Sequence, residues 1–157
     1  MKNLKLNIKF PVSDNIWIFQ CKFEKYDVYK ALKDEEVIKG FHWKVNQYKN
    51  DISTGNIGLI WLTGKKSGIY AITEIISDPG YYYETEAEKK YWNNIAEEED
   101  EQYRVKMKLL QLIEPPILKD LLKKIDELKN LSIIMRPWAG TNFPVKIDEW
   151  NLIKKMI

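Results

Sequence analysis

Apolar and polar positions change period several times along the chain, and each change marks an element. From Asn15 to Cys21 aromatic and β-branched residues follow one another without a breaker, which predicts a β-strand. Tyr26 to Lys33 shifts to a helical spacing that sets Val28, Ala31 and Leu32 on one side. Gly40 interrupts, and Phe41 to Val45 alternates as a short strand; Asn50 to Gly55 is a turn cluster. Ile57 to Thr63 and Gly68 to Ser77 read as two firm strands. The connection Gly64-Lys65-Lys66-Ser67 is short enough to make them a β-hairpin.

Asp78-Pro79-Gly80 ends the second strand, and the pattern then loses its period. Tyr81 to Gln102 is aromatic, then strongly acidic, closing on Glu97-Glu98-Glu99-Asp100-Glu101. It reads as a long loop or insertion at about 81–102, with one helical piece around Ala87 to Trp92 and a solvated charge run. Tyr103 to Leu112 alternates Tyr, Val, Met and Leu against Arg and Lys, a half-buried strand. Pro115-Pro116 predicts its end and the start of a helix over Ile117 to Leu128. Leu131 to Met135 predicts a last short strand and Arg136 to Phe143 a loop. Ile147 to Met156 predicts a closing helix with Ile147, Trp150, Ile153 and Ile157 inward. No internal repeat or domain boundary interrupts this series. The expected fold class is α+β: one small mixed or antiparallel β-barrel over 14–157, helices packed around it, preceded by an extension at 1–13. Curling is the easiest way for such short strands to cover their edges.

Composition narrows the chemistry. With 157 residues, 45% of them hydrophobic, the chain can bury a core without disulfide staples. Cys21 is alone, so no disulfide forms within the chain, a usage that fits a reducing, cytoplasmic setting. His42 is the single histidine, which argues against a His/Cys zinc site. No apolar run approaches the ~20 residues of a membrane span, and Met1 to Ser13 does not read as a signal peptide. A nucleophile–histidine pair would have to use His42, inside a strand. Gly64-Lys65-Lys66-Ser67 lacks the first glycine and the final Ser/Thr of a phosphate loop, and no dinucleotide fingerprint is present. The acidic run lacks the pattern of a calcium loop. These residues predict a non-catalytic domain with no cofactor and no metal.

A net charge of +2 first argues against a nucleic-acid partner. The charge is unevenly spread, however. Glu84 to Glu101 holds eight acids and two lysines, which leaves the rest of the chain at +8. That body is basic enough to meet phosphates by counterion release.

Aromatic residues make up 13% of the chain, including tryptophans at 17, 43, 61, 92, 138 and 150. Trp17, Trp43, Trp61 and Trp138 fall at strand ends or in loops; Trp92 and Trp150 are assigned to packing. Near the first four lie Gln20, Asn46, Gln47, Thr63, Thr141 and Asn142, side chains suited to a base edge. An unstacked base needs flat aromatic faces and amide or hydroxyl groups at its edge. Lys22, Lys44, Lys65, Lys66 and Arg136 are the candidate phosphate contacts.

Four spans carry a family resemblance: Trp17 to Cys21, Trp43-Lys44-Val45-Asn46-Gln47, Ile60 to Gly64, and Gly68 to Ile72. They are closed by Gly140-Thr141-Asn142-Phe143 and a helix with Trp150. In this order they resemble an EVE domain of the PUA/YTH-like group, most closely those at the N-terminus of McrBC-type modification-dependent restriction GTPases. The resemblance implies a small barrel with an aromatic pocket for a flipped, methylated cytosine or adenine in double-stranded DNA. Carried over by position, Trp43 is the best cage wall and Gln20-Cys21-Lys22 forms a pocket edge. Lys22 stands where an Asn is frequent and so suits phosphate. Trp61, Thr63 and the loop from Gly140 to Phe143 line the other side, and Trp138 stands where the family needs no aromatic. The resemblance also implies an AAA+ GTPase domain and a nuclease subunit as partners, with no motor motif in this chain. Two other readings stay open: a PUA/YTH-like module for modified RNA, and a protein-interaction domain using the stretch from Tyr81 to Trp92.

Overall fold

The computed structural model describes residues 10–93 and 100–157, so most of the predicted extension and the first three residues of the acidic run lie outside the described residues. Among the described residues the strands are β1 (Ile16–Lys22), β2 (Phe41–Lys44), β3 (Ile57–Thr63), β4 (Gly68–Ile75), β5 (Gly80–Tyr82), β6 (Gln102–Leu118) and β7 (Asn142–Val145). The helices are α1 (Val28–Ala31), α2 (Glu35–Ile38), α3 (Glu86–Lys89), α4 (Lys119–Leu122), α5 (Ser132–Met135) and α6 (Ile147–Lys155). All seven strands join one sheet in the order β2-β6-β4-β3-β1-β7, with β5 also on β6. β1 runs parallel to β3 and every other pair is antiparallel. The sheet curls into a half-barrel, as the α+β reading expected.

Both faces of the sheet are buried, which explains why the central strands read as apolar runs rather than alternations. Along β1, Trp17 and Phe19 enter one core with Tyr26, Trp43 and Tyr70. Ile16 and Ile18 enter the other, with Trp61, Trp150 and Ile153. β3 divides likewise: Ile60 and Leu62 join the first core, Leu59 and Trp61 the second. The β3–β4 turn is the expected hairpin, and Gly64 supplies its positive φ of 114°.

Several predicted elements are corrected. β6 does not stop at the prolines but runs on to Leu118. On β4, Ile69 opposes Ile117 and Ala71 opposes Leu112, so Ile113 to Pro116 bulge out of register. Proline has no N–H to give a ladder, and a bulge asks for none. The helix that follows is correspondingly short, Lys119–Leu122. Leu131 to Met135 is not a strand; Ser132–Met135 is one helical turn with Ile133 buried. A short apolar run cannot be divided between strand and helix by period alone. In α6, Trp150 and Ile153 point inward as expected, whereas Ile147 is exposed, as is Ile157 beyond the helix end. The loop expected over Arg136 to Phe143 holds a 3-10 turn at Pro137–Ala139 and then enters β7.

Several described residues between 80 and 93 are paired or helical rather than looped. β5 pairs with β6 through Gly80–Arg104 and Tyr81–Tyr103. Thr85 and Glu88 form a capping box that starts α3, each side chain bonded to the other's backbone N–H. Tyr91 to Asn93 is stitched to Lys25 to Asp27: Asp27 N–H donates to Tyr91 O at 3.0 Å and Asn93 N–H to Lys25 O at 3.0 Å.

Candidate functional site

A cleft of about 420 Å³ opens where several elements end together. Gln20, Cys21 and Lys22 come from the end of β1 and Thr63 from the end of β3. His42, Trp43 and Lys44 come from β2, with Asn46 just beyond it. Pro137 and Thr141 approach from the segment before β7. Glu84 and Trp92 come from the stretch after β5 and complete the lining with Lys25.

Tyr26 organises the aromatic side. Its ring meets Trp43 edge-on at 5.6 Å between centroids and Trp92 at 4.7 Å with a 39° tilt. Such tilted contacts suit the ring quadrupole and fix both indoles. The Trp92 Nε1–H donates to Glu84 Oε2 at 2.7 Å, which further sets that indole. Burial, reinforced by the nearby Glu84 and Glu88 carboxylates, pushes the Tyr26 phenol well above its ordinary pKa, so it stays protonated.

Behind the aromatic side lies a buried polar pair. His42 Nδ1 sits 3.0 Å from Glu88 Oε2, and the His42 N–H donates to Glu88 Oε1. Glu88 also accepts from the Thr85 N–H at 2.6 Å. Burial works against the charged carboxylate, but the hydrogen bonds from His42 and Thr85 outweigh it and hold Glu88 below its ordinary pKa. The pair ties α3 to β2 beside the cleft.

The polar rim is largely committed to structure. Gln20 uses its amide nitrogen to donate to Pro137 O at 3.0 Å and to Gly140 O. Asn46 Nδ2 donates to Thr141 Oγ1 at 2.8 Å. Asn142 is buried; its Oδ1 accepts from the N–H groups of Asn46 and Gln47, and its Nδ2 donates to Lys44 O. Gln47 answers by accepting from the N–H groups of Thr141 and Asn142. Gly140, at φ 156°, lies so close to the Gln47 amide that a Cβ there would collide with it. The cleft therefore presents hydroxyl, amide and carboxylate groups already held in place.

The structure brings together Gln20, Cys21, Lys22, Trp43, Lys44, Asn46, Thr63 and Thr141 of the residues named from sequence. It separates the others. Trp61 is only 2% exposed and packs in the second core, on the far face from Trp43, so the expected Trp43/Trp61 pocket is corrected to one lined by Trp43 and Trp92. Trp17 is buried and donates from Nε1 to Asn56 Oδ1 at 2.9 Å. Asn142 acts behind the rim rather than in the lining. Trp138 stands in solvent beside Pro137. Lys65 and Lys66 border a separate hollow with Phe23 and Gly64, and Arg136 borders another with Gln47 and Met135. Sequence reasoning missed Lys25, His42, Glu84 and Trp92. The Thr85-x-x-Glu88 capping signature was the available sign that this stretch is ordered.

Among the described residues no group of three or more His, Cys, Asp or Glu side chains could hold a metal ion, and no helix is long and apolar enough to cross a membrane. The half-barrel of mixed strands has the PUA-like fold. The chain belongs to the EVE domain family, whose model matches residues 15–156. Solved structures share the fold at low identity. Human THYN1, in complex with 5-methylcytosine-containing DNA, superposes with a TM-score of 0.65 at 16% identity, over 90% of this chain and 96% of that one. A hypothetical protein from Leishmania major gives 0.64 at 17% identity, over 92% and 94%. Rpa0253 from Rhodopseudomonas palustris gives 0.64 at 16% identity, over 90% and 92%. No curated protein matches the chain in sequence.

Proposed function

We propose that this EVE domain is a non-catalytic reader of modified DNA that takes a flipped methylated cytosine or adenine into the Trp43/Trp92 cleft. The observation that carries this is the cleft itself: two indoles set by Tyr26, with Lys22, Lys25 and Lys44 in the same lining. Aromatic faces take an unstacked base and lysines meet the phosphates on either side. Glu84 adds direction. Its carboxylate lines the cleft and accepts from Trp92; in this reading it also accepts from the exocyclic amine that cytosine and adenine share and thymine lacks. The methyl group is selected by filling space, at about 0.8 kcal/mol for one buried carbon. That human THYN1 was solved with 5-methylcytosine-containing DNA supports the choice of DNA and of base. In this reading the domain serves as the specificity module of a McrBC-type restriction system in the cytoplasm, with an AAA+ GTPase domain, in the same polypeptide or another, and a nuclease subunit as its partners.

The test is binding, at one salt concentration, to a duplex with one methylated cytosine or adenine, its unmodified twin, and RNA of the same sequence. Preference for a modified duplex is the expected result. Preference for the RNA would move the domain to the RNA-reading side of its superfamily, and equal binding to all would remove the base-reading role.

A further inference from the structure

Trp138 is the most conspicuous apolar group on the surface, 80% exposed in a chain whose Trp17, Trp43, Trp61 and Trp150 are all buried. A singly exposed apolar side chain is common on protein surfaces; what sets this one apart is that its turn is braced beside the cleft. Its backbone is held from several directions. It lies in the 3-10 turn Pro137–Ala139, where the Ala139 N–H donates to Arg136 O at 3.0 Å. The carbonyls of Pro137 and Gly140, on either side of it, both accept from the amide of Gln20. Gly140 in turn is pressed against the Gln47 side chain. The residue before Trp138 lines the cleft, and so does the Gln20 that clamps the turn. Arg136, next in line, is exposed.

We infer that Trp138 is a wedge that enters the duplex at the gap left by the base taken into the cleft. This rests on the proposed base-reading role and adds a second contact to it. Removing a base from the stack leaves its neighbours without a partner, and a flat apolar side chain at that gap restores part of the lost stacking. A rigid turn is the right support, because a mobile indole would lose in ordering what it gained in stacking. A single strand has no such gap to fill, so the wedge acts on duplex alone.

The experiment compares wild type, Trp138→Ala and Trp138→Phe on a duplex carrying one 5-methylcytosine, on its unmodified twin, and on the modified strand alone. Trp138→Ala is expected to weaken the modified duplex about tenfold or more, to leave the single strand within about twofold, and Trp138→Phe to retain most of the affinity. All three proteins should melt alike, since the side chain is exposed. Unchanged duplex binding by Trp138→Ala, or an equal loss on the single strand, overturns the wedge while leaving the cleft reading in place. Failure of the wild type to prefer the modified duplex is the distinct outcome that takes the cleft reading down, and the wedge with it.

Discussion

Gln47 and Asn142 exchange hydrogen bonds, the side chain of each satisfying backbone of the other. Gln47 Oε1 accepts from Asn142 N–H at 3.1 Å while Asn142 Oδ1 accepts from Gln47 N–H at 3.1 Å. The exchange joins the chain just after β2 to the start of β7, the two ends of the sheet order, and so clasps the curl next to the cleft. Replacing Asn142 by Ala removes an acceptor for two N–H groups and a donor to Lys44 O. Orphaned groups of this kind cost ~1–3 kcal/mol each, and part of that is recovered by water at the rim. A loss of about 2–3 kcal/mol in chemical denaturation is expected, with base selectivity reduced alongside, because Asn46 and Thr141 lose their anchor.

Trp61 and Trp92 separate packing from recognition. Trp61→Phe in the second core should cost about 1–3 kcal/mol of stability and leave the preference for a modified duplex intact. Denaturation curves and binding ratios measured on the same preparations check this. A change in preference without a change in stability would place Trp61 in the site after all.

Glu88 gives the protein an acid-sensitive joint. Its folded pKa lies below its ordinary 4.5, so its contribution to stability is present above that value and is lost as pH falls through the folded pKa. Unfolding followed from pH 7 downward should show the loss beginning below about 4.5. Glu88→Gln should flatten that part of the profile, at the expense of lower stability near neutrality, where His42 loses its charged partner.

The lysines should be visible in salt dependence. If Lys22 neutralises one phosphate, Lys22→Ala lowers the slope of log K against log salt by about 0.9, with similar effects on modified and unmodified duplexes. A base-edge residue such as Glu84 behaves oppositely: Glu84→Gln should narrow the preference between bases and leave the slope unchanged.

Much of this was legible in the sequence where local pattern and tertiary context agree. β1, β2, the β3–β4 hairpin and the inward Trp150 and Ile153 all follow from period and turn residues. The errors have a common origin in long-range pairing. Prolines 115 and 116 signal an end to any strand, and only the register slip against Ile69 and Ala71 makes room for them. Trp61 sits at a strand end as Trp43 does, yet alternation turns it to the opposite face, and which face carries the cleft is not written in either strand. Trp92 was hidden by the acidic stretch around it, since charge density says nothing of the bonds that Trp92 gives to Glu84 and His42 gives to Glu88.

The most direct measurement is the ratio of affinities for two duplexes that differ by one methyl group, taken for wild type and for Trp92→Ala. Filling the cleft with one methyl predicts about a fourfold preference in the wild type, the equivalent of ~0.8 kcal/mol, and a ratio near one in the variant. A wild-type ratio of one, or a preference that survives the loss of Trp92, would contradict a base-reading cleft at Trp43 and Trp92.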